Sequence, residues 1–373
     1  MNLSTVVLDL PQIHTKPSAK ALLDTLSLLS VESRSWEVSP SHTPGRGTPR
    51  AVSGASTPVR PPNRKVKPEG VPRYLTKIVS SHLGWISSDE DKEKIWDTAS
   101  IRLSERSGRS ARGAFTRAFP VPLLHFNTLH SAEIHEPALT ADNLGFKTWA
   151  SSYVLACRWE RLLERVPALN KCCGKDASLL LELGAGTGLV GIAAAAVLGA
   201  RVLMTDLPLI VDNLALNVKS NMKSIQGRSG TAEVAVLDWS KPEEISPMSI
   251  DVAAPSSAQC PIMRGDSDTK QSLEALVIVA ADPIYSMEHP PLLAKAVGFH
   301  LSKATDAVVI TAVPLRSLYS AERAELRAQF QQIGLRLLFE EADIGSDDWG
   351  EGGGDEPSEV ECSTTVWTWK EIL

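Results

Sequence analysis

The stretch SLLLELGAGTGLVG, residues 178–191, decides the fold. Its first half is an apolar run broken only by Glu182, of the length and character of a buried strand. Gly184, Gly186 and Gly188 then form a turn, and a helix follows from about Leu189 to Leu198. Such glycines let the backbone come within contact distance of a ligand that a Cβ would hold off. The start of the next helix offers free N–H groups. In a dinucleotide fold this turn would hold a pyrophosphate, but that reading requires G-x-G-x-x-G. Here the spacing is G-x-G-x-G, with Leu189 where the third dinucleotide glycine would sit and Glu182 ahead of the loop. The plain alternative is a tight strand–helix turn with no ligand.

Downstream, strand and helix patterns alternate. RVLMTD (201–206), AEVAVLDW (232–239), EALVIVAAD (274–282) and DAVVITAV (306–313) read as strands, with helices at 208–221, near 287–301 and near 317–332. Near-continuous apolar runs between helices mean a parallel sheet covered on both faces. The last two runs, LRLLFEEA (335–342) and CSTTVWTWK (362–370), have only an acidic, glycine-rich loop over 343–361 between them. Two strands joined by a loop pair antiparallel. The expected fold is therefore α/β, a mostly parallel seven-stranded sheet closed by a C-terminal antiparallel hairpin. A dinucleotide-binding domain would continue with a sixth crossover instead.

Upstream, residues 18–30 read as a short helix within an N-terminal segment spanning 1–36. Residues 37–73 are rich in Pro, Ser, Thr, Gly and Arg, too poor in apolar groups to offset chain entropy, and are expected to be a disordered linker. Order is expected to resume at Tyr74 in a helical extension over 74–130. There Ser88, with Asp91 three residues on, makes a capping-box-like start. The alternating domain then covers 131–373. The 373 residues carry 43% hydrophobic residues and a net charge of −6, which fits a globular core and disfavours a general nucleic-acid binder. No stretch approaches the ~18 apolar residues of a membrane span, and the first residues lack the basic start of a signal peptide. Five cysteines without metal-ligand spacing read as reduced thiols. No His, Cys or Asp cluster suggests a metal.

Beyond the glycine loop, four positions carry chemistry. Asp206 ends the second strand about twenty residues on, where a carboxylate can accept from both hydroxyls of a ribose. Leu207-Pro208 follow, so helix capping is a compatible second role. Leu237-Asp238-Trp239 close the third strand. Ala281-Asp282-Pro283-Ile284-Tyr285 stand just beyond the fourth, at the carboxyl end that faces the ligand crevice. Asp-Pro predicts extended backbone at Asp282, aiming Asp282 and Tyr285 outward. A carboxylate and an aromatic face suit a nitrogen that becomes cationic during reaction. Trp149 could lid the ligand or be ordinary core, and His135 and His289 read as structural.

In order, Gly145-Phe-Lys-Thr-Trp149, Glu182 to Gly191, Thr205-Asp206, Asp238-Trp239 and Ala281 to Tyr285 resemble the lysine-methyltransferase branch of the seven-stranded (class I) S-adenosylmethionine-dependent methyltransferases. The match spans about 131–373. The resemblance implies S-adenosyl-L-methionine as cofactor, held by Trp149, Glu182, Gly184, Ala185, Gly186, Gly188, Asp206, Asp238, Trp239 and Ala281. The adenine would lie at Asp238 and Trp239. It also implies Asp282 and Tyr285 as the catalytic, acceptor-side pair. The long N-terminal extension, Ile134-His-Glu-Pro137 and Asp-Pro-Ile-Tyr look most like the fungal enzymes that methylate translation elongation factor 2. The implied protein is a cytoplasmic, monomeric protein-lysine N-methyltransferase with an elongation-factor substrate. The alternatives are methylation of a small amine or nucleobase, or a non-catalytic scaffold that keeps the fold.

Overall fold

The computed structural model describes residues 7–29, 66, 70–104, 106, 113–123, 128–138, 144–174, 176–248, 272–347 and 358–370. The linker expected over 37–73 lies outside these residues, apart from Val66 and the stretch from Gly70 on. The chain divides into two compact units, Met1–Gly113 and Ala114–Leu373.

The first unit contains helices α1 (Ala19–Leu28), α2 (Val71–Val79) and α3 (Asp89–Ser104). Each start has a local cause. Ser18 Oγ accepts from the Ala21 N–H at 3.2 Å, and Ser88 Oγ accepts from the Asp91 N–H at 3.2 Å, the capping expected from the sequence. In α2, Pro72 sits in the first turn, where its missing N–H costs nothing. The apolar faces bury Leu22, Leu26, Leu75, Ile78 and Ile95 together in a core of their own. The Tyr74 hydroxyl and the Trp85 indole N–H donate to the carbonyls of Pro11 and Pro17, tying the first residues to α2 and its following turn.

The second unit begins with a hairpin, β1 (Phe115–Leu123) against β2 (Thr128–Glu136). This differs from the expectation of helix to residue 130 and of the sheet domain starting at 131. Pro120 and Pro122 cannot donate to a ladder, so β1 does not read as a strand from sequence. Three short helices follow, α4 (Ala150–Ala156), α5 (Trp159–Arg165) and α6 (Pro167–Lys171). The sheet then unrolls: β3 (Leu180–Leu183), α7 (Leu189–Ala193, continued by a π turn over Ala194–Leu198), β4 (Arg201–Asp206), α8 (Pro208–Gly227), β5 (Thr231–Leu237) and β6 (Ile245–Pro247). After these come β7 (Val277–Ala281), α9 (His289–His300), β8 (Val308–Pro314), α10 (Ser320–Gln332), β9 (Leu335–Asp347) and β10 (Ser358–Trp369).

The strand order is β6-β5-β4-β3-β7-β8-β10-β9. The five central strands β5, β4, β3, β7 and β8 are parallel, and β10 and β9 pair antiparallel beside β8. The seven expected strands are all present, and β6 adds an eighth at the β5 edge. Every residue of β3, β7 and β8 is buried, as strands covered on both faces must be. The acidic loop expected over 343–361 is shorter than it reads, because β9 runs to Asp347 and β10 starts at Ser358. The strand order reverses between the parallel neighbours β3 and β7, the switch point at whose carboxyl end α/β sheets bind ligands.

The hairpin braces that point. Asn213, Asn217 and Asn221 form one face of α8 and act as a substitute strand for the free edge of β2. Asn221 accepts from the Glu133 N–H and donates to its carbonyl, while Asn217 accepts from the His135 N–H and donates to its carbonyl. Asn217 also donates to the Thr187 carbonyl in the glycine loop. The buried Arg117–Glu136 ion pair (2.8 Å) leaves Glu136 Oε1 accepting from the Thr148 N–H as well. Breaking such a pair strands a buried charge.

Candidate active site

The loop after β3 is held from below and behind. Gly184 and Gly186 have φ of +69° and +57°, in the left-handed region that other residues rarely enter. A Cβ on Gly184 would stand 2.9 Å from Trp239 Cζ2, and one on Gly186 would stand 3.1 Å from the Gly145 carbonyl oxygen. The Gly186 N–H donates to Asp206 Oδ2 at 2.7 Å, and the Ala185 N–H donates to the Thr205 carbonyl. Asp206 Oδ1 accepts from the Leu207 N–H at 2.7 Å, so one carboxylate fixes the loop and the entry to α8 together. Burial raises the Asp206 carboxyl above its ordinary value, opposed by these two N–H groups.

A cavity of about 1220 Å³, its open mouth included, lies over this loop. Of the residues singled out in the sequence, Trp149, Gly184, Ala185, Gly186, Asp206, Asp238, Trp239, Ala281, Asp282 and Tyr285 all line it. Glu182 and Gly188 do not. The Glu182 carboxylate is buried and turned toward α7, where Oε2 accepts from the Gly191 N–H at 2.9 Å. Burial pushes this carboxyl up to about 8, with the nearby Asp206 charge adding to the shift and the Gly191 N–H opposing it. Gly188 packs behind the loop, where a Cβ would meet Leu214.

The far wall comes from the end of β7. Asp282 has φ of +54°, left-handed and not the extended backbone expected before a proline. Its N–H is pinned to the Ala312 carbonyl of β8 at 2.8 Å, and Asp is among the few side chains that tolerate this region. Tyr285 is half exposed, its ring edge-on to His289 with centroids 4.1 Å apart. His289 Nδ1 accepts from the Tyr285 N–H at 3.2 Å, and its ring also meets Trp239 edge-on at 6.4 Å. His289 thus joins the Trp239 wall to the Tyr285 corner. Burial lowers the His289 ring below its ordinary value, and burial with the Asp206 charge raises the Tyr285 hydroxyl. Asp238 is exposed and held low by the Ser240 N–H and hydroxyl, with Lys241 and Lys295 assisting.

Lys147, Ser152, Thr187, Arg316 and Tyr319 also line the cavity; Lys147 and Thr187 fall inside the Gly145–Trp149 and Glu182–Gly191 stretches, and the other three carry no sequence motif. Position relative to the strands could have flagged Arg316 and Tyr319, which follow β8 at the same carboxyl end as Asp282. The residues fit a nucleoside-bearing ligand. The two glycines leave a cradle a Cβ would fill, Asp206 offers a carboxylate beside it, and Trp239 supplies an aromatic face. Among the described residues, no group of three His, Cys, Asp or Glu could hold a metal, and no helix is long and apolar enough to cross a membrane.

A protein-family profile described as lysine methyltransferase matches residues 130–256, a span that holds the glycine loop, Asp206 and Trp239. The protein-lysine N-methyltransferase rrg1 of Schizosaccharomyces pombe is 30% identical over 345 residues, 92% of this chain and 93% of that protein. The protein-lysine N-methyltransferase EFM2 of Saccharomyces cerevisiae is 31% identical over 292 residues, 74% of this chain and 62% of that protein. A mouse protein named EEF1A lysine methyltransferase 3 is 38% identical over 73 residues, 20% of this chain and 29% of that protein.

Proposed function

Because the chain belongs to the protein-lysine N-methyltransferase family, we propose that its cavity divides the reaction between a cofactor half and an acceptor half, and that the acceptor is a lysine of a translation elongation factor, elongation factor 2 in the first place. The enzyme is an S-adenosylmethionine-dependent N-methyltransferase with a protein substrate. When bound, that cofactor supplies an electrophilic methyl group on a sulfonium.

In this reading Trp149, Gly184, Ala185 and Gly186 take the methionine arm, Asp206 accepts from the ribose hydroxyls, and Asp238, Trp239 and Ala281 enclose the adenine. Glu182 and Gly188 support the loop from outside the cavity. Asp282 and Tyr285 receive the lysine. A free lysine has pKa ≈ 10.4, so stripping its proton at neutral pH costs about 4–5 kcal/mol. The departing proton goes to solvent through the mouth that half-exposed Tyr285 borders. As the nitrogen takes the methyl it becomes cationic, and the fixed Asp282 carboxylate with the Tyr285 ring stabilises that charge. The observation that supports the reading is that Asp282, Tyr285 and the Gly184–Gly186 cradle all line one cavity.

Elongation factor 2 is favoured by the form of Ile134-His-Glu-Pro137 and Asp282-Pro-Ile-Tyr285, and an elongation factor in general by the name of the mouse relative. A cytoplasmic location suits that substrate, and a single-chain enzyme is part of the same proposal. We place the catalytic body in the second unit, which contains every residue lining the cavity. The test is incubation of the full chain with labelled cofactor and purified elongation factor 2, then mapping of the labelled residue. Label on a lysine of that factor supports the reading. Label on a small amine or nucleic acid in a lysate, with none on the factor, overturns it.

A further inference from the structure

Tyr285 lines the cavity, yet about half of its surface faces solvent. A ring so open owes its direction to its own backbone and to the groups beside it. His289, the first residue of α9, bears on both. Its Nδ1 accepts from the Tyr285 N–H at 3.2 Å, and the two rings meet edge-on with centroids 4.1 Å apart. The His289 N–H in turn donates to the Ser286 carbonyl at 3.2 Å, closing the turn between them. A backbone N–H can only donate, so Nδ1 is the bare nitrogen and the neutral ring carries its proton on Nε2. Burial agrees, holding the ring below its ordinary value against the charge of Glu288. A neutral ring also places no positive charge beside a corner that is to receive a lysine.

We propose that His289 is a positioning residue for methyl transfer: its Nδ1 fixes the peptide at Tyr285 and so aims the Tyr285 ring at the acceptor nitrogen. The inference rests on the reading that Tyr285 receives the lysine. His289 acts through Tyr285 and does not itself touch the lysine. Alignment is where such a residue counts, since a displacement of about 1 Å can lower a rate about 100-fold. The second contact of the ring, edge-on to Trp239 at 6.4 Å, lies on the side assigned to the adenine. An aromatic replacement can keep that contact while losing the acceptor. The two roles of the histidine can therefore be separated.

The test uses the full chain with S-adenosylmethionine and purified elongation factor 2. The variants are His289→Phe, His289→Asn, Tyr285→Ala and the double variant His289→Phe with Tyr285→Ala. Phe keeps a ring and removes the acceptor. Asn removes the ring and keeps an acceptor, because its Oδ1, like Nδ1, is bonded to Cγ. In His289→Phe, kcat should fall about 10- to 100-fold while the cofactor Kd, by calorimetry, stays within about threefold of wild type. His289→Asn should recover kcat to within about fivefold of wild type. In the Tyr285→Ala background His289→Phe should lower kcat by less than about threefold more, because the ring it aims is gone. Wild-type kcat in His289→Phe would overturn the assignment. So would a failure of His289→Asn to recover, or an equal loss in both backgrounds, the mark of a residue that only props the fold. A Tyr285→Ala variant that transfers methyl at the wild-type rate would instead sink the acceptor reading, and the inference with it.

Discussion

At the glycine loop polar contacts run between main chain and carboxylate or carboxamide side chains behind or beside it. Gly186 binds Asp206, Gly191 binds Glu182, and Asn217 binds the Thr187 carbonyl. At the β7 corner the main functional side chains are more open, and the geometry is exceptional. Asp282 is left-handed without being glycine, Tyr285 is half exposed, and a single histidine links the corner to Trp239. The difference teaches how one fold divides its labour. In the proposed division, the cofactor half is over-determined by regular elements, so it can be rigid and common to a family. The proposed acceptor half is more open, so it can change with the substrate at little cost to the sheet.

The sharpest way to break the comparison is to put a side chain into the cradle. Gly184→Arg combines a strained φ of +69° with a collision at Trp239 Cζ2, so cofactor binding should fall below detection by calorimetry. Measurable binding would mean the loop yields, and the over-determined half is softer than its contacts suggest. A smaller effect is expected from Asp206→Ala, which removes the ribose acceptor and the Gly186 anchor. Affinity should drop about 10- to 100-fold. Affinity equal to wild type would reduce Asp206 to a helix and loop anchor.

The mildest change concerns Glu182 and reads in stability. Its folded carboxyl is pushed up to about 8 from about 4.5, so between those pH values the unfolded chain has released a proton that the folded chain retains. Stability should therefore fall as pH rises across that window, and level off above it. Glu182→Gln keeps a neutral group at the site and should flatten this part of the profile. Thermal unfolding from pH 5 to 8.5 checks it, and an identical slope in the variant would show that Glu182 is ionised in the fold.

How far the sequence discloses this depends on whether a feature is local. The parallel strands are legible because burial on both faces forces unbroken apolar runs such as Val277–Ala281. Gly184, Gly186 and Asp206 are legible because backbone geometry restricts those positions to few residue types. Hairpin β1–β2 is not, since Pro120 and Pro122 mask a strand whose free edge is satisfied by asparagines some eighty residues away. Glu182 stands inside the right motif, yet its carboxylate serves α7; the direction a side chain takes is a tertiary fact. Arg316, Tyr319 and His289 are single residues in connections or at a helix start, with no period or spacing to betray them. The backbone at Asp282 departs from the usual pre-proline conformation because β8 holds its N–H.

The division into two halves meets its most direct test in Asp282→Ala. Cofactor affinity by calorimetry and initial rates of methyl transfer to elongation factor 2 are measured on the same preparation. The expected result is a dissociation constant within about threefold of wild type and a rate lower by about 10²–10³, the usual consequence of removing one fixed electrostatic partner of the developing charge. Full activity with normal binding would remove the β7 corner from the chemistry, and loss of cofactor affinity in step with activity would merge the two halves into one site.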